Sequence, residues 1–377
     1  MKSRVPAHPL ALALGAALAF GPPPLHALEV TATPLVADGP ATAPAKVVDP
    51  GLVNAWGLSS SPSGPFWVSS NGGGTSTVYR VDPATQATTK LPLTVTIPGE
   101  GSVTGQVFNA AGAGQFHGDA FLFVSEDGTV SGWRGSLGAS AETLAPASPS
   151  ASYKGAAYAD LGGNGYLYAA NFAGGTVDVF KGSAAAPALT GGFADPGLPS
   201  GYAPFGAQVL GGSLYVTYAK TQAGSGDELD GPGLGVVDRF DLQGDLLGRV
   251  ATGGALDAPW GLALAPSSFG ALAGALLVGN FGDGRINAYD PSSGTWLGAL
   301  DATDGRPLVI DGLWGLAVGN DGGAGSSQSL YFTAGPAGES RGLFGVLQAV
   351  PEPATPALLG LGLAALALGG ARRGRRA

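Results

Sequence analysis

The sequence predicts an all-β fold, a six-bladed β-propeller, with an N-terminal signal helix and a C-terminal membrane helix on either side of it. Three observations carry this expectation. A glycine phrase recurs at intervals of about fifty residues, strand and turn signals keep a fixed order within each interval, and an apolar, uncharged run lies near each end. The expected organisation is a signal over 1–27, a propeller over 28–349 and a tail with a short transmembrane helix over 350–377.

The phrase is an aromatic or polar residue, then Gly, then a short apolar strand. It occurs as Trp56-Gly57-Leu58, Phe205-Gly206-Ala207, Trp260-Gly261-Leu262 and Trp314-Gly315-Leu316, with weaker copies Thr104-Gly105-Gln106 and Lys154-Gly155-Ala156. The glycines at 57, 105, 155, 206, 261 and 315 are 48, 50, 51, 55 and 54 residues apart. Six such units fit six blades of four strands each.

Each unit repeats its interior order. Second strands are expected over Pro65–Ser69, Ala120–Ser125, Gly165–Ala169, Ser213–Tyr218, Gly274–Gly279 and Ser329–Thr333. Turn signals follow, such as Asn71-Gly72 and Asp127-Gly128, because Asn, Asp and Gly tolerate the positive φ of tight hairpins. Third strands close with an apolar residue three places before an aromatic one: Val130 and Trp133, Val177 and Phe180, Val237 and Phe240, Ile286 and Tyr289. Asp82, Asp241 and Asp290 then open the turn to the outer strand. Val30–Val36 is an extra strand at the start, expected to complete the last blade and lock the ring, which removes exposed sheet edges. Ala139–Ser152 shows no clear strand pattern.

Composition agrees. Gly (66) and Pro (29) are abundant, but 45% of the 377 residues are hydrophobic and only 12% charged. That suits many short strands joined by tight turns better than disorder. Six of the 18 basic residues lie at the two ends, leaving a central part near −15. Such a surface repels nucleic acid, which requires a basic footprint. The absence of Cys removes disulfides, thiolate nucleophiles and sulfur-ligated metals.

The ends read as addresses. Lys2 and Arg4 precede the uncharged run Leu10–Phe20, Pro22-Pro23-Pro24 breaks it, and Ala27 offers a small residue for cleavage, the pattern of a secretory signal. At the other end Pro351, Glu352 and Pro353 precede the uncharged stretch Ala357–Ala371, and Arg372, Arg373, Arg375 and Arg376 close it. Arginines after a short apolar helix should stay in the cytoplasm, leaving the propeller on the periplasmic side. This tail resembles the PEP-CTERM sorting signal of Gram-negative bacteria. The resemblance implies an exosortase-type membrane protease as a partner alongside the general secretion machinery. It also implies an inner-membrane intermediate, a final place at the cell surface or outside the cell, and an exopolysaccharide or other matrix component as the partner class.

The middle resembles NHL-like and gluconolactonase-like six-bladed propellers. It is more closely similar to an uncharacterised bacterial family of exported propellers that often carry PEP-CTERM tails. The matching residues are Leu52 to Leu58, Leu313 to Ala317 with Gly319-Asn320, and Leu330 to Pro336. The resemblance implies fold and location but no activity. Gluconolactonase-like propellers hold a central divalent cation on a Glu, Asn and Asp set, which makes Ca2+ the one cofactor to consider; that set does not map onto this sequence residue by residue, and no cofactor is otherwise evident.

Candidate site residues follow from position in the repeat. Trp56, Phe205, Trp260 and Trp314 precede the first strands and so lie near the axis or its mouth. Their expected work is blade-to-blade packing, and the alternative is an aromatic-lined ligand site. Asn71, Asn171 and Asn280 follow second strands, as turn formers or as oxygen ligands for Ca2+. Asp227, Glu228 and Asp230 lie in the Gly-rich insertion Ala223–Gly235, the longest departure from the repeat, as a solvated acidic loop or a cation site; they lack EF-hand spacing. His117 is the only His of the propeller, and no Gly-x-Ser-x-Gly elbow accompanies it.

Three functions remain open on this reading. The first is a binding or structural protein of the envelope or matrix, with an axis lined by apolar or small residues. The alternative is a divalent-cation-dependent, lactonase-like hydrolase, with two or more acids and an amide converging on the axis. A protein-interaction hub would instead show a broad apolar patch on one face.

Overall fold

The computed structural model describes residues 28–100 and 102–350. The expected signal over 1–27 and the tail from Pro351 lie outside the described residues, and among the described residues no helix is long and apolar enough to cross a membrane.

Six sheets surround a central axis. From the axis outward, blade 1 comprises Ala55–Ser60, Phe66–Ser70, Thr75–Val81 and Thr88–Thr96. Blade 2 comprises Val103–Phe108, Phe121–Ser125, Val130–Trp133 and Glu142–Ala145. Blade 3 comprises Tyr153–Leu161, Asn164–Asn171 and Thr176–Lys181. Blade 4 comprises Tyr202–Leu210, Ser213–Thr221, Val236–Phe240 and Leu246–Thr252. Blade 5 comprises Pro259–Leu264, Leu276–Asn280, Ile286–Tyr289 and Trp296–Ala299. Blade 6 takes Leu313–Val318, Leu330–Ala334 and Leu343–Ala349 from the end of the propeller and Glu29–Ala37 from its start.

The expected ring closure is therefore present. Glu29–Ala37 pairs antiparallel with Leu343–Ala349, from Val30 opposite Ala349 to Ala37 opposite Leu343. Leu35 and Val36 of the closing strand are fully buried among Phe66, Tyr79, Tyr331 and Phe344, so one apolar cluster joins blades 6 and 1. Burying each such side chain stabilises by roughly 1.5–3 kcal/mol. All six blades and the closing strand lie within residues 28–350, so the closed ring and its cores are complete in that segment.

Second strands form within a few residues of their expected bounds. Asp82, Asp241 and Asp290 open the outer turns as expected, each Oδ1 accepting backbone N–H groups two to four residues ahead. One expectation fails: blade 3 has three paired strands, not four, and residues 182–201 run past without a ladder. Pro187, Pro196 and Pro199 supply no N–H there, and a strand cannot pair through them. Conversely, Glu142–Ala145 forms the outer strand of blade 2 inside the stretch that showed no pattern.

The repeat glycines explain the ring's closeness. The innermost strands of successive blades lie against one another, and that of blade 6 returns to blade 1. A Cβ on Gly57, Gly105, Gly206 or Gly261 would stand 2.4, 2.5, 2.2 or 2.4 Å from a backbone atom of the next blade. On Gly155 it would stand 2.8 Å from Phe205 O, and on Gly315, 2.9 Å from Trp56 O. Six glycines recur because six backbones meet where no side chain fits.

Candidate functional site

Two sets of loops meet at one mouth of the ring: those entering the innermost strands and those leaving the second strands. The second set delivers Asn71, Glu126, Phe172, Glu228, Phe281 and Glu339, one residue from each blade. The long insertion of blade 4 reaches the mouth because Glu228–Leu229 folds back to pair with Lys220 and Thr221.

The aromatic residues singled out by the repeat come together in one stack. Trp314 lies between Trp56, at 3.7 Å between centroids and 16° between planes, and Phe281, at 4.1 Å and 21°. Trp260 stands edge-on to Trp56 and Trp314, and Phe205 leans on Trp314 and Phe172. Trp56, Phe205 and Trp314 are buried, whereas Trp260 and Phe281 are half-buried. The stack closes this end of the axis.

Asn54 ties the stack to a charged rim. Its φ of 49° is a left-handed conformation that Asn adopts more readily than most residues. Its Oδ1 accepts Trp314 Nε1–H at 2.9 Å, and its Nδ2 donates to Glu339 Oε2 at 2.6 Å and Asn71 Oδ1 at 3.3 Å. Asn71 Nδ2 in turn donates to Glu126 Oε2 at 3.1 Å.

Lys154 is the centre of the rim. Its side chain is 4% exposed, and its Nζ donates to Glu126 Oε1 at 2.5 Å. The same ammonium lies 5.5 Å from the Trp56 ring centroid and 5.9 Å from that of Phe172, within cation–π reach. Burial pulls the Lys154 pKa down, but Glu126, Glu228 and Asp227 outweigh it and hold the ammonium above its ordinary value. Burial pushes the Glu228 carboxyl up from 4.5 to about 7, against the pull of Lys154 and with help from Glu339 and Asp227. Burial also raises Glu339, against its hydrogen bond from Asn54.

Glu228 therefore predicts a pH effect of definite sign. Its folded pKa lies above its unfolded value, so the folded state holds the extra proton between about pH 4.5 and 7. Its stabilising contribution is complete below about 4.5 and is lost as pH rises through about 7. Glu228→Gln removes this dependence and is expected to make the propeller about 2 kcal/mol more stable than wild type at pH 8, with little difference at pH 4.5. Urea melts of the two proteins at both pH values check it. A wild-type advantage at pH 8 would refute it.

The remaining candidates disperse. Asn171 Oδ1 accepts Ser152 N–H and Gly174 N–H, and its Nδ2 donates to Asp178. Asn280 Nδ2 donates to Ala255 O and Asp283 Oδ1. Asp230 lies beside Gly282 and Asp257, so the insertion sends Glu228 to the axis and Asp230 toward blade 5. His117 is exposed, with Nδ1 2.9 Å from Glu142 Oε1. Among the described residues no three His, Asp or Glu side chains form a set arranged for a metal ion.

Sequence reasoning passed over Asn54, Glu126, Lys154 and Glu339. Lys154 did leave a signal, since it takes the place in its unit that an aromatic residue takes in four others. A charge at that position must be buried on the axis and must bring counter-charges with it.

At the opposite mouth the axis opens into a cavity of about 350 Å³, bordered by Leu58, Val107, Ala157, Gln208, Leu262 and Leu316. Apolar side chains share that end with the hydroxyls of Ser59, Ser60 and Tyr158 and the amides of Gln106 and Gln208, whereas the acids gather at the other.

Residues 349–376 match the PEP-CTERM protein-sorting motif. Two uncharacterized proteins of Acanthamoeba polyphaga mimivirus are similar to part of the chain. One is 38% identical over 159 residues (41% of this chain, 42% of that protein), the other 39% identical over 132 residues (35% and 32%). The chain thus matches less than half the length of these curated relatives. Among solved structures, a mutant alpha-L-arabinofuranosidase from Fusarium graminearum in complex with an iminosugar inhibitor superposes with a TM-score of 0.53 at 10% identity, covering 85% of this chain and 98% of that one. A glucose dehydrogenase superposes with a TM-score of 0.51 at 11% identity, covering 85% and 100%. Likeness at this level shows the propeller fold alone. The matched motif indicates export and surface sorting with processing by exosortase-type machinery, and the chain is a six-bladed β-propeller that carries a PEP-CTERM sorting tail.

Proposed function

We propose that the protein is a binding or structural module of the cell envelope or extracellular matrix, delivered through its PEP-CTERM tail. The general secretion machinery exports it, the tail holds it in the inner membrane with the propeller in the periplasm, and an exosortase-type protease passes it to the surface or beyond. Its partner class is a matrix component such as an exopolysaccharide. The supporting observation is that the axial mouth is filled from within. Glu126, Glu228 and Glu339 face the ammonium of Lys154, above a closed aromatic stack. A divalent cation would need those oxygens and would be repelled by that ammonium.

The second reading is a divalent-cation-dependent, lactonase-like hydrolase in the central pocket. It is favoured by the amides of Asn54 and Asn71, which bond the carboxylates of Glu339 and Glu126 at the axial mouth. Calcium separates the two, because a ligand that binds only the folded state raises the melting temperature as its concentration passes Kd. The propeller, residues 28–350, is expected to melt at the same temperature with and without millimolar calcium. A rise abolished by EDTA would overturn the proposal in favour of the hydrolase.

A further inference from the structure

Blades 4 and 5 are separated on their outer side by a groove unconnected with the axis. Two adjoining cavities of about 740 and 540 Å³ meet at Trp296, on the outermost strand of blade 5. Such volumes are typical of small-molecule sites. Trp296 is 54% exposed, whereas the propeller's other described tryptophans are buried or half-buried. An indole on a strand edge offers a large apolar face and an N–H handle, the combination for which tryptophan is enriched at interfaces. The Trp296 ring is held, because Nε1 donates to Oδ1 of the buried Asn287 at 3.2 Å, and Asn287 Nδ2 donates to Ala255 O at 3.0 Å.

The groove also carries polar groups. Asp257, Asp283, Arg285 and Asp301 border the larger cavity with Trp296. Asp257 is 7% exposed; its Oδ1 accepts Gly231 N–H at 2.6 Å, and its Oδ2 has no hydrogen-bond partner among the described residues. Asp257 borders the cavity and its Oδ2 is not enclosed, so it can accept from a hydroxyl donor that enters the groove.

We propose that this groove binds a neutral glycan chain, with Trp296 as the stacking platform and Asp257 and Asp283 as acceptors for sugar hydroxyls. A sugar ring offers an apolar C–H face to an indole and hydroxyl donors around its rim, the combination these side chains complement. The charge of the lining, three carboxylates against one guanidinium, selects against uronic acid or sulfated chains. The cavities extend along the strand on both sides of Trp296, so the occupant is an oligosaccharide rather than one ring. This inference rests on the matrix-binding reading above and places its site away from the axis.

The test is affinity electrophoresis and tryptophan fluorescence of residues 28–350 with dextran, galactomannan and xyloglucan as neutral glycans, and alginate as the anionic one. Retardation by at least one neutral glycan and none by alginate is expected. Trp296→Ala should weaken binding roughly tenfold or more, while Trp296→Tyr keeps most of it. Asp257→Asn should also weaken it, with unchanged melting of both weakened variants as the control. Failure to bind any of the three neutral glycans overturns the inference, as does preferential binding of alginate or a dimer that Trp296→Ala dissolves. Binding that survives Trp296→Ala overturns the groove but leaves the matrix-binding function standing. That function fails separately, through the calcium response of the axial mouth.

Discussion

Replacing Gly206 by alanine is expected to destabilise the propeller by about 3 kcal/mol, the upper end for overpacking a rigid site. The new Cβ would stand 2.2 Å from Trp260 O and 2.8 Å from Thr217 Oγ1. Neither neighbour is free to move. Trp260 O belongs to the innermost strand of blade 5, and Thr217 Oγ1 accepts Gly206 N–H at 2.8 Å. Relief requires blades 4 and 5 to part, but the ring is closed by Glu29–Ala37 and cannot widen at one seam without strain at the others. Gly261→Ala should behave alike, its Cβ 2.4 Å from Trp314 O. At Gly135 and Gly192 a Cβ would meet nothing within 4 Å, and neither has a positive φ, so alanine there should change stability by less than about 0.5 kcal/mol. Urea midpoints of the four variants measure the contrast, and equal midpoints would refute the close-approach account of the repeat.

The fold is legible in the sequence as far as its requirements are local. The glycine period reports a local requirement repeated six times, so it is visible in one dimension. The second strands and the aspartates at the outer turns are legible for the same reason, since each depends on neighbours a few residues away. The closing strand is legible by elimination, because the last unit runs out of strands. Blade 3 departs from the pattern through Pro187, Pro196 and Pro199, which keep 182–201 from pairing as a fourth strand. The axial mouth is a different matter. Asn54 bonds to Glu339 across 285 residues and Trp56 stacks on Trp314 across the same seam, contacts that exist only because the ring closes. No spacing in the chain encodes them. The outer groove was hidden too, because Trp296 lies outside the repeated phrase and its exposure depends on how blades 4 and 5 diverge.

The second large effect is expected at Lys154. Lys154→Met keeps the length and the apolar stem but removes the ammonium from beside Glu126 Oε1 and from over the Trp56 and Phe172 rings. Lys154 is buried but Glu126 keeps 28% of its side chain exposed, so the carboxylate left behind is partly solvated and a loss of about 1–3 kcal/mol is expected at pH 8. The loss should shrink at pH 5. Burial already raises Glu228 and Glu339, and without the ammonium both rise further, so the folded variant takes up protons that relieve the repulsion. Glu126→Gln in the same chain should recover part of the stability, since it removes the stranded charge. The variant also turns the axial argument into a measurement. If the ammonium is what keeps a divalent ion from these three carboxyl groups and two amides, then calcium should raise the melting temperature of Lys154→Met and leave wild type unchanged. Stabilisation of both proteins alike would mean that the ion binds elsewhere or beside the lysine, and the self-neutralised mouth would no longer support a binding module over a hydrolase.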